Sequence, residues 1–183
     1  MDGQGRRMNR KDEINVSYTS QDPYGSDFPE ISRALSYWDK IRRDRSFPAW
    51  REFDWFQLPV TANPYCGVVD VKTSPVNFYY RFWGTAHATA TKQELTGRPV
   101  YDMHPRSEAR SVFAQYAETL HARAPRLFVN TIVSYTLLSE MTEISLRLPF
   151  SDDGERIQQI LAFSDMRPNA DIIGRVFDTA AEQ

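Results

Sequence analysis

Apolar residues first recur at helical spacing at Ile31, Leu35, Trp38 and Ile41, with Ala34 on the same side, which predicts a helix over residues 29–44 carrying one apolar stripe. Asp27 and Glu30 stand at capping-box spacing, and Pro29 falls in the first turn. The stretch SFPAWREFDWFQLPVTANP is broken by prolines and filled with large aromatics, so it reads as an ordered loop packed by its rings. Two strands follow, 65–72 and 76–83, joined at Thr73-Ser74-Pro75. Strict alternation in the second places Phe78, Tyr80 and Phe82 on a core face, with Asn77, Tyr79, Arg81 and Trp83 opposite. Residues 84–91 are small and suit a short helix, and ELTGRPVYDMHP is mostly turn. Val112, Phe113, Tyr116 and Leu120 mark a half-buried helix over 107–123, stopped before Pro125. Residues 126–135 are β-branched. Residues 143–150 then alternate, with Ile144, Leu146, Leu148 and Phe150 expected to face the helices and Glu143, Ser145 and Arg147 expected on the outer side. Ser151-Asp152-Asp153-Gly154 forms a turn into a last strand over 155–165.

Strands at both ends with helices between them predict an α+β domain, one antiparallel sheet with its helices gathered on one face. The domain is expected over 26–168. Residues 1–25 are polar and show no period, so they read as a flexible tail, and 169–183 as a short C-terminal helix or tail.

Composition narrows the functional classes. The chain has 183 residues, 41% of them hydrophobic and 25% charged, enough to bury a core without a metal or disulfide staple. The single cysteine, Cys66, excludes an internal disulfide and a Cys-rich zinc site. A net charge of −2 gives no basic excess for nucleic acid or an anionic membrane, so neither is expected as a partner. No apolar run approaches a membrane span, and the N-terminus has no apolar h-region, so no secretory leader is expected; with the unpaired cysteine this suits the cytoplasm.

Three stretches carry a resemblance: Leu35 with Tyr37-Trp38-Asp39 and then Pro48; Tyr80-Arg81-Phe82-Trp83-Gly84-Thr85 followed by Leu95-Thr96-Gly97-Arg98; and Leu148 through Arg156. In this order they resemble a family of small PAS-like proteins common in alphaproteobacteria, over about residues 29–166. The resemblance implies a five-stranded antiparallel sheet cupping a pocket against central helices, and a sensory or docking role.

Candidate chemistry is sparse. His87, His104 and His121 share no metal-ligand spacing. Some PAS domains hold haem through one central-helix histidine. His121 has that position, but a lone histidine near a helix C-terminus is better read as a solvated cation, so haem is not expected. Flavin photosensors of this fold carry a reactive cysteine on the first central helix. Here that helix reads GTAHATAT, with no cysteine, so flavin–thiol photochemistry is not expected and the cofactor is left unassigned. No phosphate loop, nucleophile elbow or zincin motif is present, so no catalytic residue is assigned and the protein is not read as an enzyme. Asp70 and His104 would form an acid/base pair only if folding joined them.

The aromatics are the richest feature. Tyr80, Phe82, His87, Tyr101, Met103, Phe113 and Tyr116 are the candidate ligand-binding residues, lining a cup with an apolar body and a few hydroxyls; the same residues also suit a filled core. Ile31, Leu35 and Trp38, with Tyr79 and Trp83 on the outer side of the sheet, are the candidate interface. The opening helix is expected to cover the Trp83 side, within its own chain or in a homodimer. The expected function is a PAS-like sensory or regulatory module that binds a small ligand or signals to an unidentified partner protein. The alternatives are a docking protein with a packed core and a small α+β cup enzyme of isomerase or dehydratase type.

Overall fold

The computed structural model describes residues 14–58, 60–135 and 137–165. Its elements run β1 (Ile14–Gln21), α1 (Pro29–Arg42), β2 (Cys66–Thr73), β3 (Val76–Trp83), α2 (Thr85–Thr91), α3 (Arg106–Ala122), β4 (Arg126–Ser134), β5 (Ser139–Phe150) and β6 (Gln159–Asp165). The strands form one antiparallel sheet in the order β1-β4-β5-β6-β2-β3. The α+β class and the expected antiparallel sheet, with α2 and α3 between β3 and β4, are therefore present.

The structure differs from the sequence reading in several places. The sheet has six strands where five were expected, because residues 14–21, assigned to a flexible tail, pair with β4 from Ile14↔Ser134 to Gln21↔Leu127. Ile14, Val16 and Tyr18 alternate with Asn15, Ser17 and Thr19, which are exposed, as expected of an edge strand covered on one face only. Ser107 Oγ on α3 donates to the Ile14 carbonyl at 2.7 Å, tying the edge to the helix layer. The capping box does not form: Phe28 is the N-cap of α1 without a side-chain bond, leaving Asp27 one residue outside. The last strand starts at Gln159, later than expected, because Asp153 holds a wider turn by accepting from the Glu155 and Arg156 backbone N–H groups. The expected C-terminal helix lies outside the described residues.

Helices cover both faces of the sheet: α1 lies on the face away from α2 and α3, as expected of the opening helix, but that face carries Leu146 and Leu148 and not Trp83. On the first face Leu127, Leu146, Leu148, Leu161, Phe163, Cys66 and Val68 are all nearly fully buried, beneath Ile31, Leu35 and Trp38 of α1 and the aromatic loop. Trp38 Nε1 donates to the Pro149 carbonyl at 2.8 Å. In the loop, Trp50 stacks on Phe53 and meets Phe150 edge-on, and Trp55 packs on Phe82. Each apolar side chain buried there contributes about 1.5–3 kcal/mol. The second face curves beneath α2, α3 and the segment between them, and forms the cup.

Candidate functional site

The cup face takes every second residue of each strand, and its composition inverts the expectation for β5. Register places Asn130 beside Glu143, Ser145 beside Ser164, and Arg147 beside Ala162, which in turn pairs with Gly67. Glu143, Ser145 and Arg147 thus point under the helices, and Leu146 and Leu148 point to α1. The alternation of β5 is as expected, and its two faces are the reverse of the expected ones. Both faces are covered, so polarity alone does not say which layer lies on which side.

A bulge makes the second inversion. β2 pairs with β3 as Val68↔Phe82 and then Val69↔Tyr80, so Arg81 is the extra residue. Beyond it the alternation shifts by one. Tyr80 and Trp83 both face the cup, whereas Phe82 lies on the other side against Trp55, with ring centroids 5.0 Å apart. Arg81 turns outward and bonds Asp70 Oδ1 through Nε and Nη2 at 2.9 and 2.8 Å. Asp70 is therefore committed to Arg81 and not to His104, so the acid/base pair does not form.

A cavity of about 40 Å³ remains in the cup. A single water needs roughly 10–15 Å³ of such space, so there is room for a group of a few heavy atoms. Of the seven candidate ligand-binding residues, Tyr80, His87, Met103 and Tyr116 line it. Phe82 does not, for the reason given. Tyr101 and Phe113 stack on one another at 4.5 Å beside Phe78, outside the cavity, with Tyr101 exposed. Trp83, expected on the outer side, lines it, stacking on His87 at 4.5 Å while its Nε1 donates to the Gln93 carbonyl. The α1 stripe covers the opposite face, within its own chain. Tyr79 stays partly exposed.

The polar wall is what the sequence reading missed. Glu108 and Val112 on α3, Asn130 on β4, Glu143 and Arg147 on β5 and Ser164 on β6 line the same space. Arg147 is 4% exposed; its guanidinium lies over Tyr116, and Nη2 donates to Gln115 Oε1 at 3.0 Å. Gln115 Nε2 in turn donates to Asn130 Oδ1 at 2.7 Å. Two atoms here have no partner: Arg147 Nε and Glu108 Oε2. Burial, reinforced by the nearby Glu143 charge and opposed by Arg147, pushes the Glu108 carboxyl up to about 8. Burial also raises Glu143, against a hydrogen bond from Ser164 and the Arg147 charge. Burial holds the His87 imidazole down to about 4, so near neutrality it is uncharged and Nε2–H donates to the Tyr65 carbonyl at 3.0 Å. The signal that could have found this wall is the Glu143-Ser145-Arg147 row, once a layer is placed on each side of the sheet.

Elsewhere, His121 is exposed near the end of α3, away from the cavity. Among the described residues no group of three His, Cys, Asp or Glu side chains is arranged to hold a metal ion, and no helix is long and apolar enough to cross a membrane.

No family model and no curated protein matches the sequence. Among solved structures, an RNA-binding Light-Oxygen-Voltage receptor is similar over 92% of this chain, with 10% identity and a TM-score of 0.40. The chain spans 42% of that receptor.

Proposed function

We propose that this protein is a PAS-like sensory module whose cup takes up a small molecule and whose occupancy is read by a partner protein. The carrying observation is the chemical asymmetry of the sheet. One face is predominantly apolar, with Gln159 and Asp70 bonded to each other at its end, and suffices as a core. The other buries two carboxyls and a guanidinium around a cavity, with a donor and an acceptor left unsatisfied. Burying charge without full partnering costs stability, and an apolar set of similar volume would pack at least as well. Perturbed ionisable groups that converge on one cavity instead mark a binding site. The cavity suits a ligand far smaller than the roughly 300–1,000 Å³ pockets of drug-sized molecules, which disfavours a flavin or haem.

Native mass spectrometry of protein purified from its own host tests the reading. A bound mass of a few heavy atoms, lost on denaturation, is the expected result. A mass equal to the bare polypeptide, from a preparation that also takes up none of the small probes described next, would overturn it.

A further inference from the structure

The composition of the cup limits the ligand further, on the premise that the cup is a ligand site. Its charged groups are Glu108, Glu143 and Arg147, with His87 neutral. With both carboxyls ionised, the wall lacks one positive charge. Glu108 Oε2 is buried without a donor. Arg147, nine-tenths buried and more, lines the same space and leaves Nε without an acceptor, its Nη2 being engaged by Gln115 and its guanidinium face by Tyr116. A ligand that completes this wall brings one cationic donor and one oxygen acceptor. An anion would meet two carboxyls, with Arg147 Nε as a buried, unengaged donor to hold it. A volume of about 40 Å³ limits the molecule to a few heavy atoms.

We propose that the cup binds a small organic ammonium carrying a neutral oxygen, the class of the short amino alcohols. The ammonium sits at Glu108 and Glu143, and the oxygen accepts from Arg147 Nε. The ammonium stands in for a proton that the empty cup holds on its carboxyls, so one proton leaves Glu108 for solvent as the ligand enters.

Calorimetric titration of the full chain near neutral pH with ethanolamine, ethylammonium, glycine and acetate tests the class. Ethanolamine should bind once per chain. Ethylammonium, lacking the oxygen, should bind roughly tenfold more weakly, the loss of one charge-assisted hydrogen bond. Acetate should not bind. The ethanolamine heat should vary with the ionisation enthalpy of the buffer, reporting the released proton. Glu108→Gln should abolish that variation and weaken ethanolamine by roughly tenfold or more. Its unfolding temperature, no lower than that of the wild type, would show that the variant is folded. Acetate or glycine binding more tightly than ethanolamine would overturn the ammonium-plus-neutral-oxygen class and leave the ligand reading intact. So would an acidic or neutral compound in the native mass spectrum. Ethanolamine binding unchanged in Glu108→Gln would remove the cup from the proposal.

Discussion

The guanidinium of Arg147 lies over the ring of Tyr116, 4.5 Å from its centroid, and is the only cationic side chain among those lining the cup. Its charge opposes the rise of Glu108, and at Glu143 it adds to the larger effect of the hydrogen bond from Ser164. Arg147→Met keeps much of the volume and removes the charge. The variant should lie close to the wild type in acid, where both carboxyls are protonated in either protein. As pH rises through about 8 the gap should widen, because the variant must then ionise two carboxyls with no cation beside them. Urea unfolding at stepped pH measures it, and a gap independent of pH would show that Arg147 does not face the carboxyls.

His87 makes the opposite prediction at the acid side. Its folded value is lowered to about 4 from an ordinary 6.5, so the stability it lends is present above about 6.5 and lost as pH falls toward 4. The wild type should therefore lose ground to His87→Gln across that interval, beyond any constant difference from the lost Trp83 stack. Parallel stability curves for the two proteins would argue that the imidazole is not buried.

Neighbouring residues of β5 should respond by different mechanisms. Leu146 is fully buried against the α1 layer, and Leu146→Ala should cost about 2–5 kcal/mol through the cavity it leaves. Ser145, equally buried but in the cup, shares a 3.0 Å hydrogen bond with Ser164, and Ser145→Ala should cost about 1 kcal/mol. Chemical denaturation of the pair distinguishes them; equal losses would contradict the assignment of faces.

Gly84 tests the junction between β3 and α2. A Cβ there would stand 2.2 Å from the Pro64 carbonyl oxygen and 2.6 Å from that of Cys66. Both contacts are to backbone, so Gly84→Ala forces the chain to shift and should cost about 1–3 kcal/mol or more. The backbone φ at Gly84 is −64°, so the cost is spatial and not conformational. A melting temperature within a degree or so of the wild type would refute the close approach.

Cys66 should behave as an inert core residue. It is fully buried, and burial pushes its thiol up to about 12. A thiol reagent near neutral pH should label it only at the rate of unfolding, with full labelling in denaturant. Rapid labelling of the native protein would place β2 at an exposed surface.

The sequence carried the elements well and the layers poorly, for physical reasons. α1, β3 and α3 lie within two residues of their predicted bounds, because an apolar stripe, a run of aromatics and a half-buried face each leave a period. Which face of β5 meets which layer leaves none when both faces are covered. The bulge at Arg81 adds one residue to β3 opposite Val68 and Val69, and nothing in Tyr-Arg-Phe-Trp distinguishes a bulged run from a regular one. That single residue exchanges Phe82 for Trp83 in the cup. β1 was overlooked because its alternation pairs Ile14, Val16 and Tyr18 with short polar residues in a polar stretch, though the alternation itself was there to be counted. The β5 half of the carboxyl wall stands in the Glu143-Ser145-Arg147 row, but Glu108 is far from it in sequence and joins it only through the packing of α3 on the sheet.

The unlike faces of the sheet also bear on how it finds its pairing. β5 is hydrogen-bonded on both sides, to β4 and β6. A slip of one residue would drive Glu143 and Arg147 under Trp38 and expose Leu146 and Leu148 to the cup's carboxyls. Two uniformly oily faces would tolerate such an error with little penalty, and two wet ones would not register it. Here the same mistake strands charge in hydrocarbon and hydrocarbon among charges, so misaligned hairpins are discriminated against from both sides before the helices close over them.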